Sequence, residues 1–276
     1  MPKRKDEHVS AAPPARRRKK VFDVLLAADN LNALNPVVGA AMESLDPEPI
    51  RKLARRCESL GCDFLDINPG RLSKRKEDRM EFLVQTVQES TSLSLILDSP
   101  EPRVLARGLS VCRETPILNA LSLEDHKLDG TLPLAVEHET PLVALLMDER
   151  SFTPPSMEEK LAIALEIVER AVNAGMTLDR MIVDPVTPNM SWPDARFRTA
   201  EAIKTVRYLS TGAIFQEPVQ TMAGLSNLRS GLRDRHPFAL EERCLGLFAG
   251  AGLAYVLADA LQSGFRMAYE HVSSMA

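Results

Sequence analysis

The chain has 276 residues, 45% hydrophobic and 26% charged, with a formal charge of −4. That is long for one ordinary domain and suits a single α/β barrel with a large core. No run has membrane-spanning length, no secretory segment is evident near the N-terminus, and the acidic body argues against a nucleic-acid enzyme.

The charge is unevenly placed. Residues 1–20 hold eight Lys/Arg against two Asp/Glu, a net +6, so the other 256 residues carry −10. This basic segment lacks periodicity and is expected to be a disordered tail, leaving 21–276 as one domain. The four cysteines, Cys57, Cys62, Cys112 and Cys244, form no Cys-x-x-Cys pair and no zinc spacing. They are expected to be reduced thiols in a cytoplasmic protein, packed as small hydrophobes.

From Val21 onward, strand-like and helix-like runs alternate eight times. The first strand, 22–28, runs into Asp29, Asn30 and Asn32. Asp46 and Pro47 open a helix to about Ser59, Asp as the cap and Pro in the first turn. The second strand is the most informative stretch: Phe64-Leu65-Asp66-Ile67-Asn68, stopped by Pro69-Gly70. Period two puts Asp66 and Asn68 on one face and Leu65 and Ile67 on the other. A carboxylate and an amide at the end of a buried strand are costly without hydrogen-bond partners.

Residues 77–90 follow helical spacing through Met80, Leu83, Val84 and Val87. The third strand, 93–97, ends at Asp98, and Ser99-Pro100 starts a helix through Val111. The fourth, 116–118, ends at Asn119, with a short helix at 132–139 beyond. The fifth, 142–147, ends at Met147 and is followed by Asp148. Ser156 and Glu159 make a capping box, and Leu161, Leu165, Val168 and Val172 are the expected buried stripe of a helix ended by Gly175. The sixth strand, 181–183, ends at Asp184-Pro185, before a helix over 195–208. The seventh, 221–225, ends at Ser226-Asn227. A helix at 240–248, an eighth strand at 253–257 and a helix at 265–272 complete the pattern. Eight strand–helix units predict a (β/α)8 TIM barrel. No Gly-x-Gly-x-x-Gly or Walker loop supports a nucleotide fold.

Six strand ends carry an Asp or Asn: Asn32, Asp66 with Asn68, Asp98, Asn119, Asp184 and Asn227. In this fold the C-terminal rim is where sites are built. Any single one is equally readable as a helix cap or turn residue. Without His, Lys or Cys, the set suits neither zinc nor a Ser-His nucleophile, and no protein-bound metal is expected. It suits a flat heterocycle rich in N–H donors and ring nitrogens, such as a 2-amino-4-oxo-pyrimidine. Met147, at the end of strand five, is expected in the core, with the face of such a ring as its alternative. His138 is expected to be structural. Trp192 is readable as a partner contact or a local plug. Arg229, Arg233 and Arg235 follow Asn227 and suit an acidic ligand tail, a partner surface or plain solvation.

The motifs Leu65-Asp66-Ile67-Asn68, Leu97-Asp98-Ser99, Ile117-Leu118-Asn119, Pro133 through His138, Val183-Asp184-Pro185 and Gly224-Leu225-Ser226-Asn227 together resemble the pterin-binding methyltransferases. Within that family the resemblance is greatest to methyltetrahydrofolate:corrinoid/iron–sulfur protein methyltransferases. It spans about residues 22–265, and Gly-Leu-Ser-Asn is its most specific motif. It implies a dihydropteroate synthase-like barrel, with Asp98, Asn119 and Asp184 on the pterin ring and Asp66 supporting that network. It also implies that Asn68, Gly224 and Ser226 are among the pterin-binding residues and that Asn227 contacts the pterin N5 as the catalytic residue. Asn32, Met147 and Arg235 are further candidates. The implied reaction moves the N5-methyl group of methyltetrahydrofolate to or from the cobalt of a corrinoid (cobalamin) in one-carbon metabolism. The expected partners are a corrinoid protein and a second copy of the chain, with no nucleic acid and no membrane.

Two departures stand out. The family's Glu-Arg-Ile-Asn at strand one is Asp29-Asn30-Leu31-Asn32 here, without the Arg. The Ser-rich stretch after the strand-four Asn is Ala120-Leu121-Ser122. The alternatives are a dihydropteroate synthase, which calls for basic residues near strand eight that 253–259 does not offer, and a non-catalytic folate-binding subunit.

Overall fold

The computed structural model describes residues 23–231 and 237–274. The basic tail, Arg233 and Arg235 lie outside the described residues. Eight parallel strands close into a barrel in sequence order: β1 Leu25–Asn32, β2 Phe64–Asn68, β3 Ser94–Asp98, β4 Ile117–Leu121, β5 Leu142–Leu145, β6 Met181–Asp184, β7 Gln220–Gly224 and β8 Tyr255–Ala258. Around them, among the described residues, run ten helices: α1 Pro36–Ser44, α2 Pro47–Ser59, α3 Asp78–Gln88, α4 Pro102–Leu109, α5 Asp125–Leu128, α6 Thr131–Glu137, α7 Met157–Asn173, α8 Ala195–Ser210, α9 Ala239–Ala251 and α10 Ser263–Ser274. The predicted TIM barrel is the observed architecture.

Local chemistry explains many of the boundaries. The Asp46 side chain accepts from the Glu48 amide, with Pro47 opening α2. Ser156 and Glu159 exchange their bonds as a capping box on α7. Gly70 and Gly175 sit at φ +69° and +102°, where a side chain is strained.

Several expectations change. Strand β5 stops at Leu145, two residues short of Met147. Helix α1 was not anticipated: Asn35 caps it and Pro36 opens it, but its exposed Val37 blurs the amphipathic pattern. Strand β1 runs to Asn32, so Asp29, Asn30 and Asn32 belong to it and not to the loop beyond. On α7 the buried face is Lys160, Leu161, Ala164, Ile167, Val168 and Ala171, while Leu165 and Val172 are each 49% exposed. At about 100° per residue these two lie nearly a quarter-turn from the centre of the face, which small alanines bring close to the barrel. Strand β7 stops at Gly224, and Ser226 and Asn227 sit in the short 3-10 turn Leu225–Arg229.

Inside the barrel Ala27, Ile96, Ile117, Val143, Ile182, Met222 and Tyr255 form one apolar cluster, with Phe64, Leu145 and Leu257 packed on it. Phe64 and Tyr255 meet edge to face at 5.7 Å. A larger cluster fills the space between strands and helices. The inner cluster is the floor on which the strand-end residues stand.

Candidate functional site

Pairing register sets the heights of the polar groups. Asp98 on β3 is level with Asn119 on β4, and Leu145 on β5 with Asp184 on β6. Asp66 is level with Ile96, one layer lower, while Asn68 reaches the layer of Asp98. The side chains confirm these heights. The Asn68 Nδ2 donates to Asp98 Oδ2 at 2.7 Å, and Asn68 Oδ1 accepts from the Gly70 amide at 2.9 Å. The Val186 amide donates to Asp184 Oδ1 at 2.7 Å. The structure thus brings Asp66, Asn68, Asp98 and Asn119 together at the C-terminal mouth, with Asp184 at the end of β6 on the same rim.

The three aspartates differ electrostatically. Burial drives Asp66 well above the usual carboxylate range, and the nearby Asp98 and Asp29 charges push it further; the Asn119 amide opposes them. Its Oδ1 is buried without a hydrogen-bond partner. Burial and like charges thus both disfavour the ionised form of Asp66. Burial raises Asp98 to about 6, against the Asn68 hydrogen bond and the charge of Lys127. Burial raises Asp184 to about 7, against the Val186 amide and the charge of Lys160.

The other candidates divide. Asn227 is exposed, and its Nδ2 hangs over Gly224, where an added Cβ would sit 3.1 Å from it. Gly224 thus leaves room for the Asn227 amide above the end of β7. Ser226 is half-buried beside it. Asn32 is level with Asn68, but its Oδ1 accepts from the Leu34 amide, which makes it a turn residue. Met147 is half-buried just past β5, its carbonyl accepting from the Leu123 amide. His138 is exposed at the C-terminal end of α6, away from the mouth.

One expectation gives way. Arg229 is neither a solvated group nor a tail-binding one: it is buried, 3.5 Å from the carboxylate of Glu241 and 3.7 Å from the centroid of Phe238. Trp192 is a local stacking partner, with the Arg198 guanidinium 5.1 Å over its ring. The position of the missing strand-one Arg also acquires a role. Asn30 accepts from the Ala260 amide at 3.0 Å and donates to Asp259, fastening β1 to the loop after β8.

Sequence reasoning missed three residues. Asn189 donates to the carbonyls of Asn227 and Ser230 at 3.0 and 2.8 Å, so the loop after β6 holds the turn that carries Asn227. Lys127 is buried beside Asp98 and paired with Glu124 at 2.6 Å. Lys160 is buried behind Asp184. Asn189 had a faint signal in Pro188-Asn189, a turn dipeptide; the lysines had none.

Among the described residues no group of three or more His, Cys, Asp or Glu is placed to hold a metal ion. No described helix is long and apolar enough to cross a membrane. A cavity of about 300 Å³ lined by Gln88, Ser92, Leu95, Arg113 and Thr115 lies at the other end of the barrel and holds none of the site groups.

A closed eight-stranded barrel with a strand-end ring of Asp and Asn defines the class of protein. Comparison with known proteins agrees: the model of the family described as pterin binding enzyme matches residues 35–268, and the chain belongs to that family. It is 26% identical over 230 residues to the methylcorrinoid:tetrahydrofolate methyltransferase of Eubacterium limosum, covering 82% of each chain. It is also 26% identical over 204 residues to methionine synthase of Mycobacterium tuberculosis, which is 70% of this chain and 16% of that protein. The solved dihydropteroate synthase of Xanthomonas albilineans in complex with 7,8-dihydropteroate superposes with a TM-score of 0.65 at 18% identity, over 94% of this chain and 97% of that one. A Yersinia pestis structure of that enzyme gives 0.66 at 15% identity, covering 92% and 94%. At these identities the two structures speak for the fold alone.

Proposed function

We propose that the protein transfers a methyl group between N5 of a tetrahydrofolate and the cobalt of a corrinoid held by a partner protein. The observation that carries this reading is the pair Asp98 and Asn119, level on neighbouring strands, with Asp184 at the end of β6 on the same barrel mouth, in a chain similar to a methylcorrinoid:tetrahydrofolate methyltransferase. Asp98 and Asp184 accept from the exocyclic amine and ring N–H groups of the pterin, and Asn119 pairs with both donor and acceptor atoms. Asp66, one layer below, is buried in a setting that disfavours its ionised form, which opposes a third negative charge beside those two.

Breaking the N5–methyl bond leaves a basic amine, so a donor at N5 lowers the barrier. Asn227 is not acidic enough to give up a proton at neutral pH, but its amide donates a hydrogen bond that strengthens as charge develops on N5. The Asn189 bonds fix the height of that amide. The corrinoid supplies the atom that accepts or donates the methyl group, which requires no side-chain nucleophile.

Asn227→Ala tests this reading. Single-turnover transfer from methyltetrahydrofolate to reduced cobalamin, followed by stopped-flow absorbance, should slow about 100- to 1000-fold. Folate affinity, measured by fluorescence titration, should fall much less. A wild-type rate in the variant removes the role of Asn227. A wild-type protein that binds folate and transfers nothing is a binding subunit, and one that makes dihydropteroate instead is a synthase.

A further inference from the structure

Lys160 is among the largest fully buried side chains of the described residues, yet it carries an ammonium group. It projects from the first turn of α7, and its Nζ donates to the Pro185 carbonyl at 2.6 Å. An ammonium group removed from water, with one carbonyl as its hydrogen-bond partner, is costly unless a negative charge lies close by. The residue before Pro185 is Asp184. The residue after it, Val186, sits at φ +61°, a conformation that a β-branched side chain rarely adopts. That twist turns the Val186 amide back onto the Asp184 carboxyl at 2.7 Å. The strained turn at the end of β6 is therefore gripped twice, by Asp184 from within and by Lys160 from behind.

We propose that Lys160 is a positioning residue for this site: its ammonium group clamps the Pro185 carbonyl and supplies the positive charge that keeps the Asp184 carboxyl ionised and aimed at the ligand. The charged groups acting on Lys160 are Asp184 from β6, Arg198 from α8 and Glu159 from its own helix. Arg198 is engaged by Asp194 at 2.8 Å, and Glu159 by the Ser156 cap. Burial lowers Lys160 to about 8 while the same low-polarity setting raises Asp184 to about 7. Near neutral pH the lysine is mostly charged while the aspartate titrates, so the charge on Lys160 decides how much of Asp184 is ionised. A ligand that donates N–H groups binds the ionised form.

The inference rests on the pterin reading for its ligand, but its first readout needs none. The Asp184 carboxyl is followed by 13C NMR across pH in the ligand-free protein, its signal assigned by its loss in Asp184→Asn. In Lys160→Met and Lys160→Gln the midpoint should rise by about one pH unit, because a nearby positive charge is gone. Lys160→Arg, which keeps the charge, should hold the wild-type midpoint. Gln retains a donor for the Pro185 carbonyl and serves if Met fails to fold. The second readout is affinity for methyltetrahydrofolate from pH 6 to 9. The neutral variants should bind about fivefold more weakly at pH 7, because a one-unit rise from a midpoint near 7 cuts the ionised fraction of Asp184 from about a half to about a tenth, and recover toward pH 9, where wild-type Lys160 also loses its proton. A merely structural lysine would weaken binding equally at every pH, and that result, or an unmoved Asp184 midpoint in both neutral variants, overturns the proposal. If the midpoint responds to Lys160 while the wild type binds no folate, the clamp stands and the folate reading falls.

Discussion

Ile96 and Asp98 stand two residues apart on β3 and face the same way, into the barrel. Ile96 joins the apolar floor with Ile117, Ile182 and Met222 and is fully buried. Asp98 joins the polar ring above it and is held by Asn68. The same step separates Ile182 from Asp184 on β6 and Phe64 from Asp66 on β2. The floor gains free energy from burial; the ring loses it, because all three carboxyls are pushed upward by lost water. The two layers therefore serve different ends, stability below and recognition above. The ring stays foldable because hydrogen-bond donors and two lysines lie behind it.

Substitution on each side of that boundary should separate the two. The largest expected effect is on the floor: Ile96→Ala should cost ~2–5 kcal/mol in urea unfolding, through lost burial and the cavity left behind. If the variant unfolds like the wild type, the barrel interior is not the core it is taken to be. Asp98→Asn and Asp184→Asn should instead weaken methyltetrahydrofolate binding by ~1.5–3 kcal/mol, about ten- to a hundredfold, by removing charged acceptors. Calorimetry giving wild-type affinity in both would remove these residues from the site.

The same aspartates should tilt the pH dependence of stability. Asp98 and Asp184 hold their protons to about 6 and about 7 in the folded chain, above the ordinary carboxylate value. The folded state thus binds more protons than the unfolded state between about pH 4 and 7. Their contribution is fully present below that window and is lost as pH rises through it. Ligand-free stability should fall from pH 5 to pH 8, and the fall should shrink in Asp184→Asn; an equal fall in both proteins would contradict the assignment. The smallest effect belongs to the outer surface. Leu165→Lys on α7 should change stability by no more than about 0.5 kcal/mol, since half of that side chain is already in water.

The sequence was most legible where period and chemistry coincide. Asp66 and Asn68 break an apolar run at alternate positions, so both their face and their place at the strand end follow from the pattern. The capping box of Ser156 and Glu159 fixes the start of α7 without tertiary knowledge. Long-range partnerships were not legible. Lys160 reads as an ordinary polar residue in the first turn of a helix, and only closure of the barrel sets Pro185 against its Nζ. Arg229 looks like a loop cation until Phe238 and Glu241 fold over it. Leu165 and Val172 match a helical spacing, but the side of α7 that meets the barrel is chosen by alanines, which periodicity ranks below leucine.

The seam between β1 and β8 has a consequence for synthesis. Val24 and Tyr269 are 245 residues apart in sequence and hydrogen-bonded, and Asn30 and Asp259 are 229 apart. At roughly 5–20 residues per second, the ribosome needs on the order of ten to fifty seconds to deliver the far side of that seam after the near side. Throughout that time β1 has one open hydrogen-bonding edge, with Leu26, Ala27 and Ala28 still awaiting their β8 partners. The nascent chain is thus most exposed to mispairing before its last strand arrives, and a premature stop before Tyr255 leaves that edge open for good.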